Sequence, residues 1–121
     1  MKARVLKEDR TVKDAVLQVI REIFAQRQID IEKIVFFGSR VRGDFDKDSD
    51  WDFLVIANKE LEIKEKHRLI IRIKRELAKM GIPNDIIIQS KSRFDLMKNY
   101  PGHISYAANL ESVEVFKYAK I

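Results

Sequence analysis

Apolar residues recur at Val12, Ala15, Val16, Val19, Ile20, Ile23 and Phe24, the one-face spacing of an amphipathic helix, and predict one from Thr11 to about Gln26. Thr11 with Asp14 reads as a capping box at its start. The pattern then changes. Lys33 to Phe37 is a short β-branched and aromatic run stopped by Gly38, which predicts a buried strand followed by a turn or helix start. Beyond the polar stretch Arg40 to Ser49, the run Trp51 to Ala57 is apolar and strand-like, and acidic residues alternate at its opening. Between about Glu62 and Met80 a second helix is expected, with Ile63, Ile70, Ile73, Leu77 and Met80 on one face and Arg68, Arg72, Arg75 and Lys79 on the other. Gly81 stops it and Pro83 lies just beyond. Asp85 to Gln89 reads as a third buried strand, Ser92 with Asp95 as another cap, Pro101 as the opening of a helix to about Leu110, and Val113 to Phe116 as a last strand. Strands interleaved with helices predict an α/β fold, a small mixed sheet with helices packed on it, as a single domain over residues 1–121.

Composition narrows the chemistry. Hydrophobic residues make up 45% of the 121 and charged residues 36%, with few Gly or Pro, as in a folded chain without low-complexity segments. No apolar run reaches the roughly 20 residues that span a bilayer, and the charged start has no apolar signal core, so no membrane partner and a cytoplasmic location are expected. With no Cys, any metal must be held by oxygen or imidazole. The net charge of +5 favours a polyanion such as a nucleoside triphosphate or RNA. Basic surfaces are common, however, and Lys/Glu-rich, Cys-free usage also suits a heat-stable protein, so direct nucleic-acid binding is not expected.

Two residues apart on a strand, Asp50 and Asp52 would present carboxylates from one face at the entry to an apolar strand. Charges so close repel unless a hard divalent cation joins them, and Mg²⁺ commonly takes one or two carboxylates plus substrate phosphates. Asp85 opens the neighbouring strand and can add a third carboxylate to the same rim. Three carboxylates can hold two metal ions about 3.5 to 4 Å apart, the arrangement of in-line phosphoryl or nucleotidyl transfer. A phosphate cradle is supplied by Gly38, which permits close backbone approach, and Ser39, which adds a hydroxyl. Arg40 and Arg42 follow, where a guanidinium could pair with triphosphate oxygens. Each signal alone is also what an ordinary turn or cap looks like; their order on consecutive strand ends is what makes them specific.

The stretch Gly38-Ser39-Arg40-Val41-Arg42-Gly43, followed by Asp48-Ser49-Asp50-Trp51-Asp52-Phe53-Leu54-Val55, resembles the minimal nucleotidyltransferases of the DNA polymerase β-like superfamily, whose signature is Gly-Ser, ten residues, then Asp-x-Asp. The resemblance covers most of the chain, and Asp85 stands where that family carries its third acidic residue. It implies Asp50 and Asp52 as Mg²⁺ ligands, Asp85 as a shared ligand or general base, and Gly38 with Ser39 as triphosphate contacts. It further implies an antitoxin that moves AMP from ATP onto a tyrosine of a partner HEPN-domain ribonuclease toxin. A chain this short has no room for the acceptor-holding domain of larger relatives, so the partner would bring its own hydroxyl. Two alternatives stand beside this reading: neutralisation of the toxin by binding alone, and transfer to a small molecule or an RNA end.

The remaining candidates have blander expectations. His67 and His103 lie far apart without a metal-ligand spacing and are expected to be structural or exposed. The Arg68, Arg72, Arg75 and Lys79 stripe reads as a solvated helix face. Trp51 and Phe53 alternate with the acidic pair and so should face the core, and Tyr100, Tyr106 and Tyr118 in the tail are expected to pack, with partner contact or self-modification as the alternative.

Overall fold

The structure is a computed structural model that describes residues 2–111 and 113–117. It opens with α1 (Lys2–Gln26), which runs into β1 (Ile31–Phe37) and the single-turn α2 (Ser39–Arg42). Then come β2 (Trp51–Ala57), α3 (Ile63–Lys79) and β3 (Asn84–Ser90). The chain closes through α4 (Lys91–Met97), α5 (Ile104–Glu111) and β4 (Val113–Lys117). The predicted order of elements holds throughout.

The strands form one four-stranded sheet in the order β3-β2-β1-β4. β1 is antiparallel to both β2 and β4, whereas β2 and β3 are parallel. The sheet is therefore mixed, as expected. The parallel pair follows from the crossover: a strand can return beside its predecessor in the same direction only through a long connection, which α3 provides.

Alternation along the strands sorts side chains onto two faces. Ile34, Phe36, Trp51, Phe53, Val55, Ile86 and Ile88 point to one, where they meet Val16, Ile20 and Phe24 of α1 and Leu69, Ile73 and Leu77 of α3. Val35, Phe37, Leu54 and Ile56 point to the other, under Phe94 of α4 and Ala108 of α5. Helices cover both faces, so the sheet is the middle of three layers rather than one side of two. Strands buried on both faces read as continuous apolar runs, which explains the look of 51–57 in the sequence.

Five local expectations are corrected. The first helix begins at Lys2, so Thr11 lies inside it and no capping box operates there. On α3 the buried face is Leu69, Ile73 and Leu77 with Ile70 half-buried, while Ile63 and Met80, expected inside, are 68% and 53% exposed. The cap of α4 is Ser90, whose hydroxyl accepts from the Arg93 amide at 3.1 Å, not Ser92. Pro101 lies in a turn, and α5 starts at Ile104 behind His103, whose Nδ1 accepts from the Ser105 amide at 3.1 Å. His103 is thus structural and His67 is exposed, both within expectation. Tyr106 is half-buried, Tyr100 is 55% exposed against the expectation of packing, and Tyr118 lies outside the described residues.

Candidate active site

Register brings two of the three sequence-predicted carboxylates together. Asp52 is paired with Phe37 across the antiparallel β1/β2 ladder and with Asp85 across the parallel β2/β3 ladder. Residues in one such row point to the same face, so Asp52 and Asp85 stand side by side on the face that carries Phe37, Leu54 and Ile56. Leu54 and Ile56 are covered by α4 and α5, whereas the acidic end of the same face stays open: Asp85 is exposed and Asp52 is half-buried. Asp50 lies one residue before β2 and is exposed. The Trp51 amide between the two aspartates donates to Pro83 O at 2.9 Å, which fastens the start of β2 beside the approach to β3. Trp51 and Phe53 are buried on the opposite face, as their alternation predicts.

Gly38 closes the site from the β1 side. Its φ of 83° and ψ of −162° lie in a region that is essentially glycine-only. A Cβ there would overlap Asp52 Oδ2 and stand 2.9 Å from Asp52 Cγ. The Asp52 carboxylate therefore packs against the bare α-carbon, and the Gly-Ser and Asp-x-Asp parts of the motif touch. α2 begins immediately, with Val41 and Arg42 amides donating to Gly38 O at 3.1 and 3.0 Å. Ser39 and Arg40 occupy its first turn, where amides have no acceptor within the helix. Gly43, at φ 90°, ends the turn by donating its amide to Ser39 O at 2.9 Å.

The two arginines differ. Arg42 is exposed and forms an ion pair with Asp44 at 3.4 Å. Arg40 was expected among the phosphate contacts, but its guanidinium turns onto the following loop: Nε and Nη2 donate to Ser49 O at 3.3 and 3.0 Å, and Nη2 to Lys47 O at 3.3 Å. It also lies over the rings of Phe45 and Trp51, 4.5 and 4.9 Å from their centroids. Sequence reasoning missed this arrangement, although aromatics at 45 and 51 on either side of a polar loop were the available signal.

A second positioning contact also went unforeseen. Lys74 of α3 donates through Nζ to Asn84 O at 2.9 Å, one residue before Asp85. Among the described residues no group of three Asp, Glu, His or Cys converges into a finished metal cage. The donor set is nevertheless of the right kind for Mg²⁺: hard oxygens from two adjacent strands, open to solvent, with ligand positions left for water and phosphate.

The nucleotidyltransferase domain family matches residues 17–109, which include every one of these side chains. The chain belongs to that family. Among curated proteins it is 34% identical, over 58% of its own length and 75% of the relative's, to the Methanocaldococcus jannaschii protein named "Putative protein adenylyltransferase MJ0141". A Sulfolobus solfataricus crystal structure named as a "putative nucleotidyltransferase" superposes with a TM-score of 0.60 at 23% identity, covering 93% of this chain and 86% of that one. The toxin-antitoxin MntA-HpeT, solved as a mutant with two Asp-to-Glu changes two positions apart, superposes with a TM-score of 0.59 at 12% identity, over 88% and 73% of the two chains. A toxin-antitoxin structure with AMP-PNP gives 0.55 at 15% identity over 84% and 73%. These structural likenesses establish the fold. The nucleotidyltransferase family match and the adenylyltransferase relative make the chain a nucleotidyltransferase enzyme, whose substrate is a nucleotide. No helix among its described residues is long and apolar enough to cross a membrane.

Proposed function

We propose that this nucleotidyltransferase transfers AMP from ATP to a tyrosine hydroxyl of a partner HEPN-domain ribonuclease toxin, releases pyrophosphate, and thereby acts as the antitoxin. The observation that carries the reading is Asp52 seated between Gly38 and Asp85, which joins the glycine-serine turn to two carboxylates in one small rim. Support for the acceptor class comes from a relative named as a protein adenylyltransferase, and support for a toxin partner and an adenine nucleotide from the toxin-antitoxin structures.

In this reading Ser39 and the first amides of α2 contact the triphosphate, with Arg42 close by. Asp50, Asp52 and Asp85 would hold Mg²⁺, two ions in the full complement, which would supply positive charge against the phosphates when bound. Asp85, the more exposed member of the adjacent pair, is placed to take the proton from an incoming hydroxyl. The hydroxyl oxygen forms a bond to the α-phosphorus as the bond to the bridging pyrophosphate oxygen breaks. Because Asp50 and Asp85 are exposed, an acceptor carried on the surface of another protein can approach them.

The test is to incubate the enzyme with the partner toxin, ATP and Mg²⁺ and measure intact mass. The partner should gain one or more AMP units with wild type and essentially none with Asp52→Asn or Asp85→Asn, while circular dichroism shows both variants folded. Full transfer by either variant would sink the residue assignment. A tight complex that never gains adenylate would instead establish neutralisation by binding alone.

A further inference from the structure

A side chain of α2 reaches over the loop that leads to Asp50 and Asp52. We propose that Arg40 is a positioning residue: its guanidinium fixes the loop 43–50, and through it Asp50 and Asp52, instead of gripping the nucleotide. This deepens the nucleotidyl-transfer reading above and rests on it.

The loop is first folded onto itself. The Asp46 amide donates to Ser49 Oγ at 3.0 Å, the Asp48 amide to Asp46 Oδ1 at 2.8 Å, and the Ser49 amide to Asp46 O at 3.2 Å. These bonds make residues 46–49 a unit but do not tie it to the rest of the protein. Arg40 does so by holding both Ser49 O and Lys47 O from α2. Ser49 O belongs to the peptide that leads into Asp50, so the anchor lies one peptide bond from the residue that carries the first carboxylate. The two flanking rings, Phe45 from the loop and Trp51 from β2, lie against the same guanidinium. Arg40 thereby connects the phosphate side of the site to its carboxylate side.

The geometry uses properties particular to arginine. A planar guanidinium can donate to two carbonyls from one edge while its plane lies against aromatic rings, and a lysine ammonium, a compact point charge, cannot do both. With Nε and Nη2 committed to loop carbonyls and two rings against it, the guanidinium is oriented by the loop and not by a triphosphate. Its effect on catalysis should therefore pass through carboxylate placement, where a displacement of about 1 Å can cost on the order of 100-fold in rate.

The test uses Arg40→Lys in the full chain, with Phe45→Leu as a milder second variant should the first fail to fold. Amide hydrogen exchange over 44–49, affinity for AMP-PNP with Mg²⁺, and adenylate-transfer kinetics are measured on each folded variant. For Arg40→Lys, loop exchange should accelerate about tenfold or more, since it reports local opening. Affinity for AMP-PNP should stay within about threefold, and kcat should fall about 10- to 100-fold with KM for ATP nearly unchanged. Phe45→Leu should move the same readouts in the same direction by less. Loop exchange equal to wild type, or an AMP-PNP affinity loss beyond about tenfold, overturns the proposal and returns Arg40 to the phosphates. If wild type transfers no adenylate to any acceptor, the functional reading fails, while exchange and nucleotide affinity still decide the role of Arg40.

Discussion

At the scale of single residues, Gly38 shows what the motif was selecting. A glycine is required there twice over, once by its backbone angles and once by the carboxylate packed on its α-carbon. Gly38→Ala should therefore damage the enzyme more than its size suggests. Strain in such a region costs roughly 1–3 kcal/mol, which a folded chain can survive, but the new methyl must also push Asp52 out of its place. We expect a thermal midpoint lowered by a few degrees and adenylate transfer reduced by two orders of magnitude or more, an estimate set by the sensitivity of transfer to roughly 1 Å misplacement. Transfer within about twofold of wild type would show that Asp52 tolerates displacement. The residue types and spacing of this pair were legible in the sequence. Their contact was not, because it depends on the antiparallel register that sets Phe37 opposite Asp52. The direction of Arg40 was hidden for a similar reason, since it follows from the path of the loop rather than from the residue itself.

At the scale of elements, legibility followed the strength of the local pattern. The three strands nearest the site were found to within two residues because apolar runs end at Gly38, at Asn58 and at Ser90. The first half of α1 was missed because 2–10 is rich in helix-forming Lys, Arg, Glu and Leu but carries little apolar periodicity. The exposed ends of α3 were misassigned because a helix touches the sheet only along its middle. Two of the polar contacts that tie α3 to the rest of the chain each give a prediction. Arg27 of the α1 turn meets Glu65 with two hydrogen bonds of 3.0 Å, which holds the Glu65 carboxyl below its ordinary value of 4.5. A depressed carboxylate contributes stability that is present above the unfolded value and lost as pH falls through the folded one. Glu65→Gln should thus lower the thermal midpoint slightly at neutral pH, and its difference from wild type should fade as pH falls below about 4.5 and shrink in high salt. A difference that persists unchanged at acid pH would assign the effect to packing. Lys74 is the second contact. Lys74→Met removes the donor to Asn84 O and should reduce transfer several-fold by loosening the start of β3 beside Asp85, with ATP affinity maintained.

At the scale of the whole molecule, the forces that hold the fold and the groups proposed for the chemistry occupy separate places. Two apolar clusters sandwich the sheet, and among the described residues no buried side-chain nitrogen or oxygen lacks a partner. Asp52 and Asp85 sit at one open end of a single face, outside both clusters. Burial of apolar surface should therefore stabilise the chain without help from a bound ion, in contrast to small metallo-domains whose metal-binding energy is their folding energy. The separation makes the sequence readable in two registers, with apolar periodicity reporting the scaffold and the few acidic and glycine interruptions reporting the site. It also predicts how the protein responds to metal removal. Exhaustive chelation should abolish adenylate transfer yet leave the unfolding midpoint within about a degree or two of the untreated enzyme, because one degree corresponds to only a few tenths of a kcal/mol for a domain of this size. Added Mg²⁺ alone should stabilise little, whereas Mg²⁺ with AMP-PNP should raise the midpoint by mass action, as expected if triphosphate oxygens complete the proposed ligand set. A collapse of the midpoint on chelation would mean that the ion holds strands β2 and β3 together, and the carboxylate row would then be a structural site first.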